Sequence, residues 1–237
     1  LTDVPPVRGA AANALGSIGT DAALDPLVDL LDDADESIRR TAAGALGGAS
    51  TARPVEPLAA ALGDPSPVVR EAAVYSLLGL LSNAPTERSH AIRDQVVETL
   101  RDVDDDGVVD PLVEILDAGQ ETRQRRNAAW ILGRIADPRA SAAVEALVAA
   151  LGDDDAQTAR FATTSLAALG GPVVEDRLLD RLDPEYPASV RANAVFVLGR
   201  IGGRETLERI EALTDDESPA VRKRAFSAVT ALRSGGV

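Results

Sequence analysis

One short pattern recurs along the chain: an arginine, then paired alanines three and four residues later, then leucine and glycine seven and eight residues later. Its clearest copy lies at residues 125–135, which read RRNAAWILGRI. Counting weaker copies, the pattern begins seven times, at residues 8, 39, 70, 125, 159, 191 and 222. Self-similarity at a nearly fixed period indicates a repeat array, so the 237 residues are not expected to form ordinary globular domains.

The spacing of the copies predicts one pair of helices per repeat. Successive copies are 31, 31, 55, 34, 32 and 31 residues apart, and the shorter steps fit two helices with their turns. The second helix of each pair carries the arginine pattern, and the first carries apolar residues at helical spacing. In the long step, Ile92, Val96, Val97 and Leu100 form one apolar stripe. This stripe predicts an extra amphipathic helix at about residues 89–101.

The consensus V-R-x-x-A-A-x-A-L-G-x-I-G, preceded by an L-x-x-L-L-x-D helix, resembles the HEAT repeat. Among its varieties, the sequence is most similar to the phycobilisome-lyase HEAT-like repeat, and the resemblance covers essentially the whole chain. It implies an all-α fold, a right-handed α-solenoid of about seven HEAT-like helix pairs that forms a single domain over residues 1–237. It also implies that the first helices line the convex face and the second helices the concave face.

Repeats of this family also carry an aspartate in the turn between the helices, six residues before the arginine. Four repeats have that pair or its glutamate variant: Asp33/Arg39, Asp64/Arg70, Asp216/Arg222 and Glu185/Arg191. The resemblance implies that these side chains form a ladder that joins repeat to repeat through charge-assisted hydrogen bonds. Gly119 replaces the acid before Arg125, and Ala159 replaces an arginine. We therefore expect the ladder to be weakest in those two repeats.

The balance of charges indicates the environment in which the chain works. Its net charge is −14, and Lys223 is the one lysine among 24 basic residues. Molar salt screens the self-repulsion of such a chain to a Debye length of about 3 Å. We therefore expect a salt-loving, haloarchaeal source, the alternative being an acidic protein from a GC-rich bacterium. No apolar run approaches the roughly 18 residues of a membrane span, and no secretion signal opens the sequence, so we predict a cytoplasmic protein.

Motifs for catalysis are absent from the sequence. There is no cysteine and one histidine, His90, and neither a Gly-x-Ser-x-Gly motif nor a phosphate-binding glycine-rich loop occurs. We therefore predict no catalytic residue and no cofactor. Asp102, Asp104 and Asp106 match the first half of a calcium loop, but Val113 stands where a bidentate glutamate is needed. A solvated turn is favoured there, and no metal is predicted.

Projecting each second helix at about 100° per residue reveals a candidate binding groove. With the arginine as position zero, positions 1, 5 and 9 point away from the core, and position 2, which holds Arg224 in the last repeat, flanks them. In repeats four to seven these positions are basic and aromatic. Together with one residue of the third repeat, the predicted partner-binding residues are Tyr75, Arg126, Asn127, Trp130, Arg134, Arg160, Phe161, Asn193, Phe196 and Arg200. The alternative is that Trp130 and Phe196 pack against neighbouring second helices, with arginine stems over the rings.

We predict a non-enzymatic protein–protein interaction scaffold. Exposed tryptophan and arginine are enriched at binding hot spots, so we expect the groove to take an acidic or extended segment of another protein. The resemblance to the namesake family implies an alternative, a phycobilin-lyase-like enzyme or an enzyme subunit. A second alternative is nucleic-acid binding through the basic groove. The net charge of −14 disfavours it, because duplex binding depends on neutralising phosphates.

Overall fold

The computed structural model describes residues 4–83, 89–101, 105–119, 121–137 and 141–234, without the side chains at positions 21, 89 and 105–107. Within these ranges the regular structure is helical and no strand is present, which confirms the predicted all-α class. Contacts between Cα atoms divide the chain into two compact units, Leu1–Leu112 and Val113–Val237. Both units are stacks of HEAT-like helix pairs.

Fourteen α-helices lie in the described residues, and short 3-10 turns end five of the first helices. The first unit contains α1 (Pro5–Ile18), α2 (Asp21–Asp29), α3 (Glu36–Leu46), α4 (Val55–Ala60), α5 (Pro67–Asn83) and α6 (Ser89–Arg101). Helix α7 (Asp105–Ala118) includes the boundary between the units. The second unit contains α8 (Thr122–Ile135), α9 (Ser141–Ala149), α10 (Ala156–Leu169), α11 (Pro172–Leu179), α12 (Ala188–Ile201), α13 (Arg204–Glu211) and α14 (Pro219–Ser234).

The second helices of the pairs are α1, α3, α5, α8, α10, α12 and α14. They begin at residues 5, 36, 67, 122, 156, 188 and 219, each three residues before the start of the repeated pattern. The pattern therefore begins one turn inside each helix, with an arginine in six of them and Ala159 in α10, and the seven second helices lie where the pattern predicts them. The inserted helix is confirmed as α6, whose apolar residues Ile92, Val96, Val97 and Leu100 are buried.

Second helices pack directly on one another in each unit. In the first unit α1 lies against α3 and α3 against α5, with α2 and α4 packed on them. In the second unit α8, α10, α12 and α14 follow in order, and α9, α11 and α13 lie beside them. Because only 3% of the residues are aromatic, the cores consist mainly of alanine, leucine and valine, with a few isoleucines.

Small residues bring the second helices close together. A Cβ atom at Gly133 of α8 would lie 2.6 Å from the Cα atom of Ser165 of α10, so no larger residue fits at this crossing. The Ser165 hydroxyl donates a hydrogen bond of 2.8 Å to the carbonyl oxygen of Ala129. The two helices are therefore joined by a polar contact as well as by packing.

The predicted ladder is present, and Arg39, Arg125 and Arg191 each make two kinds of bond. Arg39 donates from Nη1 to the carbonyl oxygen of Asp33 in its own turn, at 2.9 Å. It donates from Nε and Nη2 to both carboxylate oxygens of Asp64 in the next turn, at 2.7 and 3.0 Å. The same two-oxygen fork joins three further pairs: Arg8–Asp33, Arg125–Asp153 and Arg191–Asp216.

The ladder is not weakened at Arg125, contrary to the prediction. Arg125 donates from Nη1 to the backbone carbonyl of Gly119 at 3.0 Å, so this contact needs no acidic side chain, and Asp153 completes the fork. The ladder is interrupted at Ala159, as predicted. Among the ion pairs of the described residues, Asp183 in the following turn has one partner, Arg209, at 3.8 Å.

Candidate protein-binding surface

The second-helix face is the surface of α8, α10, α12 and α14 that carries the rings of Trp130, Phe161 and Phe196. Trp130 is half-buried on α8, and Arg134 follows it by four residues, which places both side chains on one side of the helix. The Cζ atom of Arg134 lies 3.9 Å from the centroid of the indole ring. Its Nη1 atom also donates to the Trp130 carbonyl oxygen, at 3.0 Å. The ring is therefore capped by a cation but not enclosed.

Phe196 on α12 lies beneath two arginines from different helices. The Cζ atom of Arg200, one turn later on α12, is 3.7 Å from the ring centroid, and that of Arg224 on α14 is 4.5 Å from it. Arginines over both rings agree with the alternative interpretation, in which the stems cover them. However, both rings remain half-buried, and Arg134, Arg200 and Arg224 are exposed.

A cavity of about 670 Å³ opens beside Phe196. It brings together most of the residues predicted in repeats five and six, and it adds Arg224 from repeat seven. Polar and acidic residues of the turn before α10, and of α10 and α12, complete the wall. The cavity-lining residues used below are Asp153, Asp154, Arg160, Asn193, Phe196, Arg200 and Arg224.

Arg126 is not the open groove cation that the projection predicted. Its Nε and Nη2 atoms both donate to Asp155 at 2.6 Å, and Asp155 in turn accepts from the backbone N–H of Thr158 at the start of α10. The hydrogen bonds from Arg126 hold the pKa of Asp155 far below its usual range. The aliphatic part of the Arg126 side chain is long enough to reach Asp155 in the turn before α10. This ion pair therefore joins α8 to α10.

The two predicted asparagines serve the fold in different ways. Asn127 is buried. Asn193, which lines the cavity, donates from its amide nitrogen to the carbonyl oxygen of Leu151 at 3.0 Å. Phe161 is half-buried on α10, and Arg160 beside it is exposed and lines the cavity.

Tyr75 belongs to the first unit, where it lines a separate cleft of about 790 Å³. The projection onto helices did not predict this cleft. Its floor is made of small residues from α1, α3 and α5, including Gly16, Gly44 and Gly79. Glycine and serine occupy many of the outward positions in the first three repeats. These residues carry neither a charge nor an aromatic ring, so the projection did not indicate a binding site there.

The described residues contain no cluster of three or more histidine, cysteine, aspartate or glutamate side chains that could hold a metal ion. The calcium candidates Asp102 and Asp104 lie outside the described residues, and so does the side chain of Asp106. In the described part of the chain, no helix is both long and apolar enough to cross a membrane. The second-helix face instead presents guanidinium groups and aromatic rings, which can contact a binding partner.

Comparison with known families agrees with this architecture. A family model of HEAT repeats matches residues 2–78, 110–188 and 175–235, which together are most of the chain. The chain belongs to the HEAT repeat family. The second-helix face is therefore the face made by the second helices of consecutive HEAT repeats.

Three relatives of this HEAT repeat chain are informative. A HEAT repeat-containing taxis protein of Halobacterium salinarum is 45% identical over 157 residues, which is 65% of this chain and 39% of that protein. Phycocyanobilin lyase subunit beta of Thermosynechococcus vestitus is 39% identical over 101 residues, which is 42% of this chain and 46% of that protein. The chain thus spans less than half the length of either relative. An engineered protein of known structure superposes on 99% of this chain and 66% of its own, with a TM-score of 0.54 and 23% identity, a likeness in fold alone.

Proposed function

We propose that this HEAT repeat chain is a non-enzymatic protein-binding module that serves taxis, and that its partner protein docks on the second-helix face. The similarity to a haloarchaeal taxis protein supports the cellular role. Stacked repeats create extended surfaces for binding, which supports the mode of action. The acidic composition and the haloarchaeal relative together support a role in molar salt.

The observation that carries the proposal is Phe196, a half-buried ring held beneath Arg200 and Arg224 at the edge of an open cavity. Aromatic and arginine side chains dominate binding hot spots, because they offer a large contact area and directed hydrogen bonds. Stacking also restricts the arginines before a partner arrives, which lowers the entropy lost on binding. Trp130 with Arg134 repeats the arrangement on α8.

A swimming assay tests the proposal. In a strain that lacks the gene, wild-type protein should restore spreading through soft agar, and a Phe196→Ala, Arg224→Gln variant should not. Phe226→Ala is the matched control, because Phe226 is an exposed ring on α14 that does not line the cavity. Equal spreading by the double variant and the wild type, at equal protein levels, would contradict the proposal.

Site-specific photocrosslinking tests the docking surface itself. A benzophenone amino acid at position 164, where Thr164 is exposed and lines the cavity, should crosslink to a partner protein in living cells. The same group at position 177, where Arg177 pairs with Glu145, should give no such product. A product at position 177 and none at position 164 would place the partner on another surface.

A second candidate function is a subunit of a bilin-attaching enzyme, which the similarity to phycocyanobilin lyase subunit beta favours. Likeness between repeats does not transfer activity, because function depends on sites rather than folds. Mixing the purified chain with phycocyanobilin distinguishes the candidates. A stoichiometric shift of the bilin absorbance would favour this enzyme role, and an unchanged spectrum would favour the binding module.

A further inference from the structure

We propose that the cavity beside Phe196 binds a carboxylate side chain of an extended polypeptide segment, gripped by Arg160, Arg200 and Arg224. This inference rests on the proposed function, since it gives the chemistry of the partner that docks on the second-helix face.

The three arginines have no carboxylate partner among the ion pairs of the described residues. Several other arginines of the same unit do pair with acids: Arg125 with Asp153, Arg126 with Asp155, Arg177 with Glu145, Arg191 with Asp216 and Arg233 with Glu211. Three guanidinium groups that line one cavity without an ion-pair partner in the described residues therefore form a candidate anion site.

The ring of Phe196 positions two of these guanidinium groups before an anion binds. Arg200 and Arg224 lie with their Cζ atoms 3.7 and 4.5 Å from the ring centroid. Stacking uses the flat face of a guanidinium group and leaves the N–H donors at its edge free. A carboxylate accepts two such donors in parallel, with more energy and direction than a single charge contact gives.

Two polar residues of the cavity wall, Asp154 and Asn193, favour a peptide over a free phosphate. Asp154 on the wall is exposed, and it repels a doubly charged anion more than a singly charged one. The amide nitrogen of Asn193 already donates to Leu151, so its oxygen remains as an acceptor. An acceptor repels phosphate oxygens but takes a backbone N–H from an extended chain. Asp153 is neutralised by its fork with Arg125.

Molar salt determines which interactions contribute to the affinity of such a site. Attraction between separated charges is screened beyond about 3 Å at 1 M, so the net charge of a partner contributes little. Short bidentate hydrogen bonds and ring contacts keep their strength. The site should therefore select a segment by the position of its carboxylate rather than by its total charge.

Fluorescence anisotropy in molar KCl tests this inference. The probe is a labelled peptide that alternates glutamate with serine, and the matched probe has glutamine in place of glutamate. We expect the wild type to bind the glutamate peptide at least about tenfold more tightly than the glutamine peptide. Equal binding of the two peptides, or binding of neither, would overturn the proposal.

Variants then locate the binding. Arg200→Gln with Arg224→Gln should weaken binding of the glutamate peptide by about tenfold or more, while Arg177→Gln, in an exposed pair with Glu145, should leave it unchanged. Arg160→Gln is a second variant that leaves the Phe196 stack intact, and it should also weaken binding. Unchanged affinity in both cavity variants, with melting temperatures equal to that of the wild type, would overturn the proposal.

Competition separates the two sources of anionic charge. Inorganic phosphate should displace the labelled peptide only at a higher concentration than the unlabelled glutamate peptide requires. Displacement by phosphate at a lower concentration would overturn the peptide assignment. Absence of peptide binding together with a crosslink at position 164 would refute the carboxylate chemistry alone, whereas absence of the crosslink would refute the proposed function.

Discussion

At the scale of single residues, Arg191 shows how the ladder uses charge inside the protein. Its side chain is 2% exposed and that of Asp216 is 5% exposed, yet both remain ionised because they share a two-oxygen fork. The Nη1 atom of Arg191 donates to the carbonyl oxygen of Tyr186 at 2.7 Å. A buried ion pair of this kind adds modest stability, but losing one member leaves the other charged and buried.

We therefore predict that Arg191→Met lowers the free energy of unfolding by about 3–5 kcal/mol. The matched variant is Arg177→Met, which breaks the pair with Glu145, where both side chains are 43% exposed; it should cost less than about 1 kcal/mol. Urea unfolding followed by circular dichroism measures both changes. A similar cost for the two variants would show that burial does not set the strength of the pair.

Single residues also show where reasoning from sequence reached its limit. The resemblance to HEAT-like repeats implied the ladder, because the acid and the arginine lie at fixed positions of the repeat. The same projection assigned Arg126 to the groove, whereas its side chain turns back to Asp155. Helix geometry fixes the direction of the Cα–Cβ bond, but the terminal group of a long, flexible side chain can lie in another direction.

At the scale of helices, two glycines that look alike in sequence have opposite roles. Gly133 of α8 lies where a Cβ atom would overlap Ser165 of α10. Gly44 lies inside α3, and a Cβ atom there would meet nothing within 4 Å. The first glycine is needed for packing, whereas the second leaves space in the cleft that Tyr75 also lines.

We predict that Gly133→Ala destabilises the protein by about 1–3 kcal/mol, because α8 and α10 must move apart. Gly44→Ala should instead stabilise it by about 0.5–1 kcal/mol, since alanine is the better helix former and fits without a clash. Thermal unfolding of the two variants beside the wild type is the measurement. A loss of stability in Gly44→Ala would mean that its side of α3 is more crowded than the structure indicates.

The helices themselves were largely predictable from the sequence. The pattern placed all seven second helices, and the apolar stripe at residues 89–101 predicted α6, because helical periodicity is a local signal. The contact of Arg224 with Phe196 was not predictable, since it joins α14 to α12 and depends on how closely the two helices approach. The cleft of the first unit was missed for a related reason: empty space is a property of neighbouring helices together.

At the scale of the whole molecule, the net charge of −14 opposes the compact state through self-repulsion. The Debye length falls from about 30 Å at 0.01 M to about 3 Å at 1 M, so added salt removes most of this repulsion. We predict that the melting temperature rises continuously from dilute to molar KCl. Tetramethylammonium chloride at equal ionic strength should give the same rise if screening is the cause. A rise in KCl alone would indicate specific potassium binding, and no rise in either salt would remove the halophilic interpretation.

The ladder has a consequence for how such a chain changes its length over generations. Arg8–Asp33, Arg39–Asp64 and Arg191–Asp216 each span 25 residues, and every rung joins a turn to the one that follows it. A duplicated helix pair therefore arrives with its own arginine and its own aspartate, already in register with both neighbours. Unequal recombination can add or delete one pair while the remaining joints stay as they were. The second-helix face can thus become longer or shorter by whole repeats during evolution, while the packing of the remaining repeats is unchanged.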